Sequence, residues 1–300
     1  MITVVIPTRN RAYTLQKVAW SYYGQQGVNE IIFVDDCSED DTGDVVKSLA
    51  QAYQHVTTKY LRHETRRGAS AGRITGYENA SNNYVLFGED DAFLAADYTE
   101  KLMQKFDEHP GAGIVSGRII YMLPGETAQE AGRRFGIGTA MKPYLDQHTF
   151  MFNHHARLEG DFAVPFTHAL FLTTKALLES YGYDPFYARG NGFREETDFQ
   201  INAFVHGTQI IVTNDTHCFH LHGSDVPSGG QRANRFRQFY WKVYYTSYMY
   251  DKYYELLRPR LALSHSKNSA KLLFAWAQFY ILFLRPLGRR SRHLWQKVFG

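Results

Sequence analysis

Ile2-Thr3-Val4-Val5-Ile6-Pro7-Thr8-Arg9-Asn10-Arg11 opens the chain with a short apolar run that ends in proline and a polar turn. The run has the length and composition of a strand, and Arg11–Gln25 after it carries apolar residues at three-to-four spacing, as a helix does. The alternation then repeats. Glu30–Val34, Val56–Leu61, Tyr84–Phe87 and Gly113–Tyr121 read as strands, with Asp41–Gln54, Ala69–Ala80 and Asp97–His109 as helices between them. Strand-helix alternation predicts an α/β fold with a mostly parallel sheet flanked by helices. In such open sheets ligands sit beyond the carboxyl ends of the strands, so the residues just after each apolar run are where chemistry is expected.

The chain has 300 residues, 44% of them hydrophobic and 21% charged, which fits one large or two small folded domains and excludes disorder. Cys37 and Cys218 are too few for a disulfide framework or a four-cysteine zinc site, and suit a reducing compartment. Met1 runs directly into Ile-Thr-Val-Val-Ile-Pro with no basic n-region, so no secretory signal is read and the cytoplasm is the expectation. Downstream, residues 124–165 lack clear periodicity and read as a long loop or substrate-facing insertion. Phe166–Thr173 reads as a strand, Lys175–Tyr181 and Glu195–His206 as helices, and Gln209–Val212 and Thr216–His222 as extended segments.

The strand ends lead into polar and acidic residues. Pro7–Arg11 is not the glycine-rich turn of a dinucleotide fold or a P-loop, which weighs against hydride transfer and ATP hydrolysis. Asp35-Asp36 comes after the second strand, either as a turn cap or as part of a site. Glu89-Asp90-Asp91 comes after the fourth. Three carboxylates there repel one another unless a cation or donor compensates, and hard oxygen ligands suit Mg²⁺ or Mn²⁺. Glu195-Glu196-Thr197-Asp198 opens a helix after Gly190–Arg194, as acids that complement the helix dipole or as a base facing a cleft. His220 and His222 share a face if that segment is extended, which makes the pair a candidate metal ligand set.

Taken in order, Pro-Thr-Arg-Asn-Arg, then Val34-Asp35-Asp36-Cys37-Ser38 with Asp41-Thr42, then Gly68 and Arg73, then Phe87-Gly88-Glu89-Asp90-Asp91 resembles a family 2 glycosyltransferase. Arg194-Glu195-Glu196-Thr197-Asp198-Phe199 extends the resemblance, which covers roughly residues 1–222. It implies the GT-A fold, the Rossmann-like architecture of nucleotide-diphospho-sugar transferases, over a catalytic domain of residues 1–227. It further implies that Pro7, Thr8, Asn10, Arg11, Asp35 or Asp36, Gly68 and Arg73 line the nucleotide pocket, with an aspartate favouring uracil. Glu89 and Asp91 stand at the two acidic positions of the family's Asp-x-Asp motif, Glu89 or Asp90 toward the ribose and Asp91 on the metal, with glutamate in place of the usual first aspartate. Glu196 stands where similar enzymes carry the catalytic base, Glu195 is its runner-up, and His220 or His222 lies where related enzymes place a histidine near the metal or pyrophosphate.

The implied activity is inverting transfer of a sugar from a nucleotide donor, UDP-sugar in the first instance, to a glycan or lipid-linked acceptor with Mn²⁺ or Mg²⁺ as cofactor. The rivals are a sugar-nucleotide nucleotidyltransferase, which needs a glycine-rich turn where Pro7–Arg11 stands, and a non-catalytic membrane-bound glycan-binding or scaffold module.

Residues 228–300 are a separate matter. They carry fourteen Lys or Arg against Asp251 and Glu255, a net of +12, whereas the first 227 residues carry −9. Phe236, Phe239, Tyr240, Val243, Tyr244, Ser247, Tyr250 and Tyr254 recur at helical spacing, interleaved with Arg235, Arg237, Lys242 and Lys252. Leu272–Leu284, broken only by Gln278, spans roughly 20 Å as a helix, short of a bilayer's ~30 Å. With Arg285, Arg289, Arg290 and Arg292 after it, and Trp276 and Trp295 near its ends, it reads as an interfacial helix on the anionic inner face of the cell membrane. The alternative is packing on the rest of the chain or on a second subunit. Basic-aromatic interleaving also suits single strands, but no nucleic-acid motif accompanies it, so no nucleic acid is expected.

Overall fold

The computed structural model describes residues 1–135, 143–147, 149–153, 156, 159–190, 192–226 and 234–286. The described residues divide into two compact units, one within Met1–Tyr144 and Asn153–Gly229, the other within Leu145–Phe152 and Gly230–Gly300.

The first unit begins with β1 (Ile2–Thr8), α1 (Ala12–Val18), α2 (Trp20–Tyr23) and β2 (Val28–Asp35). It continues through α3 (Thr42–Ala52), β3 (Thr57–Arg62), α4 (Ala69–Glu78), β4 (Tyr84–Phe87) and β5 (Ala92–Leu94). Next come α5 (Tyr98–Glu108), β6 (Ala112–Tyr121) and α6 (Ala128–Phe135). After the two short strands of the other unit, β7 (Leu145–Asp146) and β8 (Met151–Phe152), it resumes with β9 (Asp161–Ala163) and β10 (Leu172–Thr174). It closes with α7 (Lys175–Tyr181), α8 (Glu195–Val205) and β11 (Gln209–His220).

The sheet order is β3-β2-β1-β4-β10-β6-β11-β5, with β9 on β11. β1, β2, β3, β4, β6 and β11 run one way, while β5, β9 and β10 run against them. The sheet is therefore mostly parallel with antiparallel insertions. Central strands β1 and β2 are buried almost throughout, which is why they read as unbroken apolar runs. Their register pairs Thr8 with Asp35 and Asp35 with Arg62, so three strands end at one level. Helix α4 lies directly on β1. A Cβ at Gly76 would overlap Val5 Cγ1, and one at Gly72 would stand 3.0 Å from Pro7 Cβ.

Several local expectations change. The helix expected over Arg11–Gln25 is divided at Ala19, where the Ser21 hydroxyl donates to the Val18 carbonyl at 2.8 Å and competes with the ladder. Of the strand expected at Phe166–Thr173 only Leu172 and Thr173 pair, in a strand that runs on to Thr174. The amides before it bond elsewhere, Thr167 N to Gln200 Oε1 at 2.6 Å and Leu170 N to His168 Nδ1 at 3.2 Å. The two extended segments expected at 209–222 are one strand with a register shift between Thr213 and His217. Within 124–165, α6 starts with reciprocal bonds between Thr127 and Glu130, a capping box, and buries Ala131 and Phe135 against Ile120, Met122 and Phe219.

In the second unit, α9 (Arg235–Arg260) and α10 (Lys267–Phe279) pack together, and a π turn at Tyr280–Leu284 extends α10 up to Pro286. That proline lacks an N–H and crowds the carbonyl four residues back, which accounts for the widened turn. Phe150, between β7 and β8, meets Tyr250 edge-on at 5.8 Å. No described helix is long and apolar enough to cross a membrane.

Candidate active site

The carboxyl ends of β1, β2 and β4 place the polar motifs side by side. At β4 the chain leaves the sheet through Gly88 into Glu89-Asp90-Asp91 and re-enters it as β5. The short β5 pairs antiparallel with the end of β11, His220 opposite Ala92, and the Leu221 amide donates to the Asp91 carbonyl at 2.9 Å. This pairing sets His220 Nε2 3.4 Å from Asp91 Oδ1. Glu89, Asp91 and His220 each offer a ligand atom, all within 4.8 Å of one another. The His220 Nδ1 faces the Leu221 carbonyl at 2.8 Å, an arrangement that protonates Nδ1 and leaves Nε2 toward the carboxylates.

Arg11 closes the other side of this group, with Nε 3.5 Å from Asp90 and Nη2 3.6 Å from Asp91, while its Nη1 is buried without a hydrogen-bond partner. Burial pushes the Asp90 carboxyl up to about 7, with Asp91 adding to the shift and Arg11 opposing it. Burial likewise raises Glu89, against the pull of His220. For His220 burial works against the charged form, but Asp91 and Glu89 outweigh it and hold the imidazole above its ordinary value. Carboxylates crowded out of water with one imidazole are a donor set that a hard divalent cation fits.

The second acidic motif sits at the start of α8. Arg194, buried and left-handed at φ 77°, caps that helix and delivers Glu195 and Glu196 into its first turn. Glu195 is buried and accepts from Arg73 Nε of α4 at 3.2 Å, and its second oxygen is buried without a hydrogen-bond partner. Burial pushes the Glu195 carboxyl up to about 7, with Arg73 opposing. Glu196 is less enclosed, and its charge acts on Arg73, Glu89 and Glu195 alike.

The other expected residues lie around these acids and are bonded as follows. Asp35 is buried, accepting from Ser38 N at 2.8 Å and from the Tyr60 hydroxyl at 2.5 Å. Asp36 accepts from the amides of Arg67 at 2.6 Å and Gly68 at 2.8 Å and meets His63 Nδ1 at 3.0 Å. It thereby ties the β2 loop to the start of α4. Gly68, at φ 86°, is needed there, because a Cβ would come within 2.5 Å of the Ala188 carbonyl oxygen. Asn10, also left-handed at φ 53°, accepts from Glu39 N at 2.7 Å. Thr8 is buried beside Asp90, and Pro7 faces α4.

His222 does not join His220. The paired strand ends at His220, and His222, two residues beyond it, caps the turn Gly223–Asp225, its Nδ1 accepting from Ser224 N at 3.1 Å. Glu89, which with Asp90 is a candidate for the ribose, stands with Asp91 and His220 in the group that could hold a metal ion. His63, the partner of Asp36, is not foreseen, because a histidine one residue past an edge strand carries no sequence signal. A further group, Glu108, His109 and Asp161, surrounds Lys105 Nζ, which lies 2.7 Å from Glu108, 3.2 Å from Asp161 and 2.7 Å from Asp215 and so puts a resident cation among these acids.

The mixed sheet with its flanking helices is the GT-A fold, and solved structures share it. The S. aureus TarS 1-349 complex with UDP superposes with a TM-score of 0.57 at 16% identity, covering 96% of this chain and 73% of that one. A mannosyltransferase from Pyrobaculum calidifontis, solved with GDP-Man and Mn²⁺, gives 0.61 at 18% identity over 98% and 80%. The chain belongs to glycosyl transferase family 2, whose family model matches residues 3–165. It is 29% identical over 182 residues to the Campylobacter jejuni GalNAc(5)-diNAcBac-PP-undecaprenol beta-1,3-glucosyltransferase, covering 60% of this chain and 56% of that enzyme. It is 36% identical over 109 residues to the Streptococcus pneumoniae glycosyltransferase GlyA, 36% of this chain and 15% of that one. The match thus spans about half or less of these relatives' own length.

Proposed function

We propose that this protein is a metal-dependent, inverting glycosyltransferase that moves a sugar from a UDP-sugar to a glycan or lipid-linked acceptor. The observation that carries the reading is the convergence of Glu89, Asp91 and His220, which the β5–β11 pairing creates next to Arg11. Glu89, Asp91 and His220 would hold Mn²⁺ or Mg²⁺. The cation supplies electrostatic stabilisation of the negative charge on the departing nucleoside diphosphate.

The chain's own residues do the rest. Arg11 has a buried donor without a hydrogen-bond partner beside the acids, and Arg73 has another beside Glu195, so each has an N–H to give to a phosphate oxygen or a sugar hydroxyl. Glu196 takes the acceptor hydroxyl's proton as that oxygen attacks the anomeric carbon. The bond from that carbon to the phosphate oxygen breaks on the opposite side, its electron pair leaves with the diphosphate, and the configuration inverts. Glu195, pinned by Arg73, holds the start of α8 and with it Glu196. The Campylobacter relative is named for a glycan on undecaprenyl diphosphate, which supports an acceptor of that class.

Calorimetry tests the reading. UDP should bind in the presence of Mn²⁺ and be weakened by chelator, and Asp91→Asn should weaken the metal-dependent part. Tighter binding of GDP would overturn the uracil assignment, and binding of neither nucleotide would overturn the transferase site.

A further inference from the structure

The family match ends at residue 165, and the carboxyl-terminal helices have a surface that the transferase reading does not use. On α9, Phe236, Tyr240 and Tyr244 recur every four residues and are 72%, 56% and 41% exposed. On α10 and its π turn, Leu272, Trp276, Tyr280 and Leu284 do the same, Leu272 and Trp276 being 72% and 61% exposed. The widened turn brings Phe279 and Ile281 out beside Tyr280, so three consecutive large apolar side chains face outward. The two stripes meet where Phe236 and Phe283 lie 4.9 Å apart and Phe239 and Phe279 6.2 Å apart. Beside that junction an apolar groove of about 760 Å³ runs along Phe239, Leu272, Leu273, Trp276 and Phe279. Continuous apolar exposure of this kind marks an interaction surface.

Charge selects the partner. Exposed Arg235 and Arg237 flank Phe236, and exposed Arg285 comes after Leu284. No Asp or Glu occurs in 234–250 or 256–286, and Asp251 is already paired with Lys271 at 2.6 Å and Lys267 at 3.3 Å. A second copy set on this face would bring like charges together, whereas a surface of lipid phosphates would neutralise them. Tyr and Trp with basic neighbours are the side chains that favour the headgroup level of a bilayer.

We infer that this face docks on an anionic lipid bilayer, its aromatic and aliphatic side chains entering the headgroup–acyl boundary while Arg235, Arg237 and Arg285 bind lipid phosphates. The surface lies wholly within the second unit and stands whether or not the donor site takes UDP.

The test is flotation of the full chain with vesicles of phosphatidylcholine, alone or mixed with phosphatidylglycerol, at low and high salt. Binding is expected on the anionic vesicles and should weaken with salt. Trp276→Glu with Ile281→Glu should weaken it by about tenfold or more, since charge is expelled from the boundary. Both positions are exposed, so thermal unfolding and UDP binding serve as controls and should be unchanged. Arg235→Glu with Arg237→Glu should weaken binding on anionic vesicles only. Equal flotation of parent and variants overturns the inference. So does absence of vesicle binding together with a dimer that Trp276→Glu dissociates, which would assign the face to a second copy.

Discussion

Replacing Glu195 with glutamine separates a buried structural carboxylate from a working one. Glu195 is 4% exposed and its carboxyl is pushed up to about 7 from an ordinary 4.5, because burial outweighs the Arg73 guanidinium. A carboxyl raised in the folded state favours the folded protein below the unfolded value and loses that advantage as pH climbs through the folded one. From 4.5 to about 7, at roughly 1.36 kcal/mol per pH unit, the loss comes to about 3 kcal/mol. Glutamine cannot ionise, yet its carbonyl still accepts from Arg73 Nε. Urea unfolding of Glu195→Gln and parent in chelator should therefore agree near pH 4.5 and diverge upward, the variant being about 3 kcal/mol more stable by pH 8. UDP release from a UDP-sugar panel should persist in the variant. Parallel stability curves would refute the role given to burial, and loss of turnover at unchanged stability would move the base from Glu196 to Glu195.

Glu196→Gln should leave UDP affinity near the parent's and reduce sugar transfer by ~10²–10⁴, the usual worth of a general base, measured in single turnover. Gly76→Ala drives a methyl group into Val5 Cγ1, so overpacking outweighs the better helix propensity, and the melting point should fall by an amount worth about 1–3 kcal/mol. Val5→Ala in the same chain should restore part of it, and no recovery would place the strain elsewhere. His168 is buried, its Nε2–H donating to the Gly117 carbonyl and Nδ1 accepting from Leu170 N. Burial lowers it to about 4, so its stabilisation is complete above pH 6.5 and is lost as pH falls toward 4, worth about 3 kcal/mol. His168→Gln should flatten that acid limb in urea titrations.

The strands that build the sheet are legible because β1, β2 and β4 are buried on both faces, and such strands leave unbroken apolar runs. The acids after them are legible for the same reason, since a polar cluster stands out at the end of an apolar run. β5 is not, because Ala92–Leu94 is three residues long and has no period to detect. His220 meets Asp91 only through that pairing, so composition and spacing single out both histidines without telling His220 from His222. Helix α6 does carry a signal in Thr127-Ala-Gln-Glu130, a capping box hidden in a stretch whose composition otherwise suggests a loop. Asp36 shows the opposite limit, since nothing in the sequence tells that an aspartate after a strand also holds the amides of Arg67 and Gly68.

Charge balance, more than any single ligand distance, is the argument that the proposed donor binding needs a cation. A nucleoside diphosphate is an anion, and the site proposed for it holds Glu89, Asp90 and Asp91 beside Arg11 and His220. Burial has already driven Glu89 and Asp90 toward their neutral forms, the response of carboxylates that lack enough positive charge nearby. A diphosphate brought to such a site would make its ionised carboxylates costlier still, and the positive charges beside them, Arg11 shared between Asp90 and Asp91 and His220 on Asp91, are already engaged. A divalent ion held by Glu89, Asp91 and His220 would offset the negative charge of the acids and of a diphosphate together. Neutralising the acids by substitution should therefore act differently from removing the ion. Asp91→Asn should weaken Mn²⁺-dependent UDP binding while making the metal-free remainder of that binding stronger than the parent's. If both fell together, Asp91 would be acting on the nucleotide pocket itself rather than through the ion.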